Sequence, residues 1–309
     1  LHYSPSTLAE ELTIASPEAV EKNTWKTLVW TQYGDVVRFY INGELVSGGR
    51  LEHTLSELGT TTFNHIGAPL DEGESYLKST YVKDFRIYNG AMSSTEVAAL
   101  CGLTPDTTEA DLKVHFTFEN VKSDVGDYEG ELKNGALLAT VAGLPVLSLG
   151  ENNGYFDMGT SVGTMLASLS DYTVSTNLYI PASTSLNSNG NFVFTFANST
   201  DMGRDANGCI FFGANQSRYA ITKSHYSGEQ AVTVGKAIHK GEWHAFTYRQ
   251  RNQVGQLFVD GVLVATDEVT LTPADLGATE HNFLGRSCYQ GDVYLKGAQY
   301  NDFRIYGGA

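Results

Sequence analysis

Three side chains in the second half of the chain have the chemistry for holding a sugar. Tyr226 in "SHYSGE", and Arg286 and Tyr289 in "GRSCYQGD", fall in segments that read as loops. Sugar recognition needs an exposed aromatic face, with polar groups for the hydroxyls. Two further residues matter because they recur. Asp84 and Asp302 each precede "FRIY", a carboxylate on an otherwise apolar strand. Burying a lone carboxylate is costly, so each needs a partner. Either an arginine supplies it, Arg304 for Asp302, or a hard cation such as Ca²⁺ does.

Catalytic signatures are missing from the sequence. There is no G-x-S-x-G, H-E-x-x-H or phosphate-loop motif. Glycoside hydrolysis needs two carboxylates about 5–10 Å apart across the sugar. The nearest acidic cluster, "DEGES" (Asp71, Glu72, Glu74), reads as a solvated turn. The eight histidines are scattered, and His244, beside Trp243, reads as a structural or surface residue.

Composition narrows the class. The 309 residues carry a net charge of −15, 32 glycines, 11% aromatic and 18% charged residues. Such an acidic chain has no electrostatic footprint for nucleic acid or an anionic membrane surface. No apolar run approaches the ~18 residues of a spanning helix, so no membrane insertion is expected. Cys101, Cys209 and Cys288 show no metal-like spacing. Cys209 with Cys288 as a disulfide and three reduced, buried thiols both remain open.

The elements that position these residues come in two copies. Shifting the chain by 218 residues lays Asn23–Ala91 over Gly241–Ala309 without a gap, with 23 identities in 69 positions. They include Trp25/Trp243, Gly43/Gly261, Asn64/Asn282, Gly67/Gly285 and the whole run "DFRIY". A fixed-period match of this kind marks a repeated structural unit. Leu1 then corresponds to Tyr219, inside a unit. The expected organisation is 1–91, the C-terminal half of a sandwich; 92–110, a short helix and linker; and 111–309, a nearly complete sandwich. The chain is expected to be a fragment or a processed product. The first unit would be completed by upstream residues or by a neighbouring unit of another copy.

The pattern is β throughout. "WKTLVWTQ" and "WHAFTYRQ" alternate like half-buried strands. "VVRFYINGELVSG" and "GQLFVDGVLVAT" are hairpins around Asn-Gly and Asp-Gly, the pairs that type I′ turns favour. "TFNHIGA" and "HNFLGRS" predict a further strand in each copy, and "YVKDFRIYNG" and "YNDFRIYGG" a closing strand. "LKVHFTFEN", "GYFDMG", "YTVSTNLYIP", "NFVFTFAN" and "GCIFFGAN" add strands to the second unit. A dozen strands in ~200 residues imply packed antiparallel sheets. "SSTEVAALCGL" predicts a helix with Ser93 as N-cap and Glu96 completing a capping box. Trp25 and Trp243, at strand starts, are expected to be buried.

Trp243, "LFVDGVLV", "NFLG", "DFRIY" and "NGAMSSTEV" together resemble the laminin-G-like, concanavalin A-like lectin/glucanase superfamily. The resemblance spans 23–100 and 111–309. It implies an all-β fold of tandem antiparallel jelly-roll sandwiches, the first incomplete at its N-terminus. It also implies a noncatalytic, extracellular or cell-surface role, since the E-x-D-x-x-E and E-x-D-x-E patterns of the enzymatic relatives are absent here. In related jelly rolls an Asp of the last strand joins groups near the first strand at a structural Ca²⁺. That carry-over implicates Asp302 with Glu119, Asn120 and Asp124 in the second unit, and Asp84 in the first. The expected function is binding or adhesion, through a glycan or a surface protein. The alternatives are a structural repeat of a fibre or stalk, and an ancillary domain pair of a glycoside hydrolase.

Overall fold

The computed structural model describes residues 2–3, 12–13, 16, 19–33, 36–50, 55–69, 73–103, 110–199, 208–224 and 226–309. The chain divides into two compact units, Leu1–Asp106 and Thr107–Ala309.

In the first unit, β1 (His2–Tyr3) pairs with β2 (Leu12–Thr13). β3 (Leu28–Tyr33), β4 (Val36–Ile41) and β5 (Glu44–Arg50) form a three-stranded antiparallel sheet. The β4–β5 turn places Asn42 at φ 53° and Gly43 at φ 91°, the two positive values a type I′ turn requires. Helix α1 (Ser94–Leu100) begins with the expected capping box between Ser93 and Glu96. Its buried residue is Val97. Gly43 is needed twice over, because a Cβ there would meet Leu103 Cδ1 at 2.8 Å and Cys101 Cβ at 3.1 Å.

The second unit runs β6 (Asp111–Phe116), β7 (Glu131–Lys133), β8 (Leu137–Val141), β9 (Leu144–Ser148), β10 (Tyr155–Asp157), α2 (Thr160–Leu166), β11 (Tyr172–Tyr179), β12 (Phe192–Ala197), β13 (Cys209–Gly213) and β14 (Arg218–Thr222). It continues β15 (Gln230–Thr233), β16 (Trp243–Arg251), β17 (Val254–Val259), β18 (Val262–Glu268), α3 (Pro273–Leu276), β19 (His281–Leu284) and β20 (Gln299–Gly307). Two antiparallel sheets result. One has the order β15-β14-β13-β12-β19-β10-β7; the other runs β18-β17-β16-β11-β20-β9-β8, with β6 also on β20. Alternate residues of both sheets meet in one core, Phe194, Phe196, Ile210 and Phe212 from the first with Val174, Phe246, Tyr248 and Phe303 from the second. Burial of this apolar area is the main favourable term in folding.

β20 sits inside its sheet. One edge pairs with β11 over its whole length, and the other with β6 and β9. The same sequence in the first unit forms no strand. Residues 81–88 have no assigned secondary structure, and Phe85 and Ile87 are 65% and 86% exposed. Residues 61–67 are likewise not a strand, whereas their counterparts contribute β19. The reason is the missing ladder: at the 218-residue shift, β6, β11 and β12 have no counterpart in these 309 residues. A strand outside a sheet gains no pairing to offset its conformational entropy.

Both tryptophans also depart from expectation. Trp25 is 60% exposed and Trp243 38%. Along β16 the core-facing residues are Phe246, Tyr248 and Gln250. Trp243 is out of phase with them and faces outward, where its ring lies 5.7 Å from that of Tyr179. His244 is in phase, with its side chain only 13% exposed.

Candidate functional site

The outer face of the seven-stranded sheet is partly covered. All six residues of β12 are buried, on both its faces. A second apolar cluster, Phe192, Ala197, Cys209, Phe211, Ala220 and Cys288, lies apart from the main core. The segment after β19 supplies its cover: Tyr289 packs edge-on against Phe192 (6.3 Å, 85°) and Phe211 (6.0 Å, 83°), which are themselves stacked at 4.0 Å.

Beside this cover lies a cleft of about 490 Å³, its floor made by Phe192 and Phe211 and its polar groups by Arg218, Glu229, Tyr289 and Asp292. Arg218 lies over the Phe211 ring at 5.5 Å and donates from Nη2 to Glu229 Oε2 at 2.8 Å. The other Glu229 oxygen accepts from Tyr289 Oη at 2.6 Å. Asp292 Oδ2 accepts from Ser287 Oγ at 2.6 Å. Burial raises the Asp292 carboxyl above its ordinary value, and the neighbouring Glu229 adds to this. Burial, followed by Cys209 and Glu229, likewise pushes the Tyr289 phenol well above its usual range, so it stays a neutral donor. Tyr226, 54% exposed, is the open aromatic at the rim. Asn189, Asn215 and Gln216 complete the wall with side-chain amides.

Of the three residues expected to bind, Tyr226 and Tyr289 line this cleft. Arg286 does not. Its guanidinium is held over Phe283 (4.7 Å), Tyr155 (4.9 Å) and Tyr294 (5.8 Å), and it donates to Tyr155 Oη at 3.1 Å. A cation packed on three rings acts as a brace for the loop. Sequence reading missed Phe192, Phe211, Arg218, Glu229 and Asp292. One signal was available: "NFVFTF" and "GCIFFG" are apolar on both alternating faces, which marks a sheet covered on both sides. Cys209 and Cys288 are free, buried thiols in the same cluster.

The family model for the concanavalin A-like lectin/glucanases superfamily, of laminin G type, matches residues 3–98 and 150–309. The chain belongs to this superfamily. No curated protein sequence matches it. Among solved structures, domain 4 of AbnA, a GH43 extracellular arabinanase from Geobacillus stearothermophilus in complex with arabinotriose, is similar at 18% identity and a TM-score of 0.51. The match covers 65% of this chain and 94% of that one. A botulinum neurotoxin type C structure, whose cell entry depends on two ganglioside molecules, is similar at 12% identity and a TM-score of 0.48. That match covers 64% of this chain and 48% of the neurotoxin chain. The arabinanase-domain likeness agrees with the family model on a jelly-roll fold.

A calcium site at the last strand, which superfamily resemblance implied, does not fit the residues present. Asp302 Oδ1 lies 2.9 Å from His115 Nε2 and accepts from Arg304 Nε at 3.1 Å, while Oδ2 meets Arg304 Nη2 at 3.0 Å. Both carboxylate oxygens thus face nitrogen donors. Asn120 Oδ1 accepts from the Lys122 amide, and Glu119 is exposed. In the first unit Asp84 is paired with Arg86 through both oxygens, at 2.6 and 2.8 Å. Arginine serves as partner in both copies.

Proposed function

We propose that the second unit is a noncatalytic carbohydrate-recognition sandwich and that its site is the cleft lined by Phe211, Arg218, Tyr226, Glu229, Tyr289 and Asp292. One observation carries the reading: a half-exposed aromatic at the rim, Tyr226, stands beside an aromatic floor edged by fixed polar donors and acceptors. Tyr226 offers a stacking face, while the Arg218–Glu229–Tyr289 chain is already ordered and has little orientational freedom left to lose on binding. The amides of Asn189, Asn215 and Gln216 suit the mixed donor and acceptor character of sugar hydroxyls. The arabinotriose held by the similar arabinanase domain makes arabino-oligosaccharides the first ligands to try. The reading carries with it an extracellular or cell-surface location, where glycans are displayed.

The test is a screen of the whole chain against immobilised arabino-, xylo-, galacto- and sialyl-oligosaccharides, followed by calorimetric titration of the strongest binder. Arg218→Ala and Tyr226→Ala are each expected to weaken that binder at least tenfold. Absence of binding to every oligosaccharide, or titrations unchanged by both substitutions, would overturn the proposal.

A second reading, a structural repeat unit of a surface array, rests on the first unit. There an apolar segment, Phe85 to Tyr88, is exposed with its strand-forming sequence intact. Backbone groups of such a segment can pair with a further strand.

A further inference from the structure

We infer that His239, Glu242 and His244 form a binding site for one divalent transition-metal ion of the zinc class, at the opening of β16 and separate from the cleft. The ligand atoms of these three residues all lie within 4.8 Å of one another. Glu242 Oε1 stands between the two rings, 2.6 Å from His239 Nδ1 and 3.5 Å from His244 Nε2. Tetrahedral zinc with bonds near 2.0–2.1 Å sets its ligand atoms about 3.3 Å apart. The His244–Glu242 separation is already close to that value. The His239–Glu242 contact, at 2.6 Å, would open by about 0.7 Å to reach it.

The decisive feature lies behind His244. Its Nδ1 is 2.8 Å from Asp260 Oδ2. An ionised carboxylate only accepts, so Nδ1 carries the hydrogen and, in the neutral ring, Nε2 presents its lone pair toward Glu242. That Nε2 is buried and has no hydrogen-bond partner. Two acceptors facing each other at 3.5 Å leave a place for a cation. A carboxylate that fixes the far nitrogen of a ligating histidine is the usual support for a metal-bound imidazole.

The site is held in shape before any metal arrives. Asp260 stands in the β17–β18 turn, with its amide donating to Ala245 O at 2.8 Å and its Oδ1 accepting from the Ala245 amide at 2.9 Å. Lys240 Nζ is anchored on the carbonyls of Ala182 and Thr184, and the Gly241 amide on Ile180 O. His239 and Glu242 are exposed, with side chains 75% and 59% accessible, leaving the fourth coordination position to water. Two imidazoles and one carboxylate suit zinc and its neighbours rather than Ca²⁺, which takes six to eight oxygens. The repeat supplies an internal control. At the 218-residue shift His239 and His244 correspond to Glu21 and Lys26, and these two also meet, Nζ to Oε2 at 2.6 Å. The fold brings the two positions together, and the second copy fills both with imidazole.

The experiment titrates Zn²⁺ into the whole chain in competition with a chromophoric chelator. The result expected is one Zn²⁺ per chain, affinity lowered at least tenfold by His239→Ala and by His244→Ala, and lowered ten- to a hundredfold by Asp260→Asn, which keeps a turn-forming residue but changes the hydrogen bond to His244. Since His239 is exposed, its alanine variant keeps the fold and isolates ligation from stability. Failure of the wild-type chain to compete for Zn²⁺, or equal affinity in the doubly substituted His239→Ala/His244→Ala chain, would overturn the inference.

Discussion

Residues 23–91 and 241–309 share one pattern and reach different ends. What is local survives in both. The Asn42 amide donates to Thr27 O at 2.8 Å, as the Asp260 amide does to Ala245 O. Thr61 Oγ1 donates to Asn64 Oδ1 at 2.7 Å, and Thr279 Oγ1 to Asn282 Oδ1 at 2.6 Å. The Leu77 amide meets Gly67 O at 3.0 Å, and the Leu295 amide meets Gly285 O at the same distance. Arg86 and Arg304 both bridge the Asp two residues before them to the Tyr two residues after them. What is long-range does not survive. β19 and β20 exist only where β6, β10, β11 and β12 are present to pair with them. A short segment's sequence specifies its turns and side-chain pairs, and its neighbours decide whether it becomes a strand.

The largest effect that would break this comparison is a matched pair of core substitutions. Phe303 is fully buried and packs edge-on against Phe194 at 6.3 Å, whereas Phe85 is 65% exposed. Phe303→Ala is expected to cost about 3–5 kcal/mol in chemical denaturation, the range for a buried phenylalanine. Phe85→Ala should stay within about 0.5 kcal/mol, as an exposed substitution does. Equal costs would mean that both copies are packed alike.

A smaller effect sharpens the comparison at the other end of the repeat. Introducing Glu21→His, Thr24→Glu, Lys26→His and Asn42→Asp writes the second copy's histidine cluster into the first. The stoichiometry of Zn²⁺ binding is then expected to rise from one to two per chain, measured by the same chelator competition. A stoichiometry that stays at one would show that adjacency of the two positions does not suffice.

Much of the fold was legible because it rests on local chemistry. Asn42-Gly43 and Asp260-Gly261 announced their hairpins through the positive φ that such turns need. Ser93 and Glu96 announced the start of α1. The errors came where phase or partners decided. Trp25 and Trp243 were expected to be buried because they recur at the start of a core strand, yet Trp243 stands out of phase with Phe246 and Tyr248 along β16. The "DFRIY" of the first copy was expected as a strand because its pattern is identical, yet the pattern carries no information about which strands flank it. Asp71 and Glu72 of the acidic "DEGES" cluster lie outside the described residues.

The candidate cleft was legible in part for the same reason. Tyr226 and Tyr289 stood out as loop aromatics, and both line the cleft. Phe211 and Arg218 come from adjacent strands, β13 and β14, and Glu229 from the turn before β15, so the cleft is a product of sheet order. Arg286 was expected to bind because an arginine in a loop looks available, and it lies outside the cleft. Only the packing of Tyr155, Phe283 and Tyr294 around it reveals a brace.

The most direct test of the central claim, that one pentapeptide has two fates set by its neighbours, is amide hydrogen exchange on the whole chain. Peptides covering 83–88 and 301–306 contain the same "DFRIY" and so share nearly the same intrinsic rates. The expected result is exchange in 301–306 slowed at least about a thousandfold by the ladder, against exchange near the unprotected rate in 83–88. Comparable protection in the two peptides would contradict the account, because the first copy would then be a paired strand.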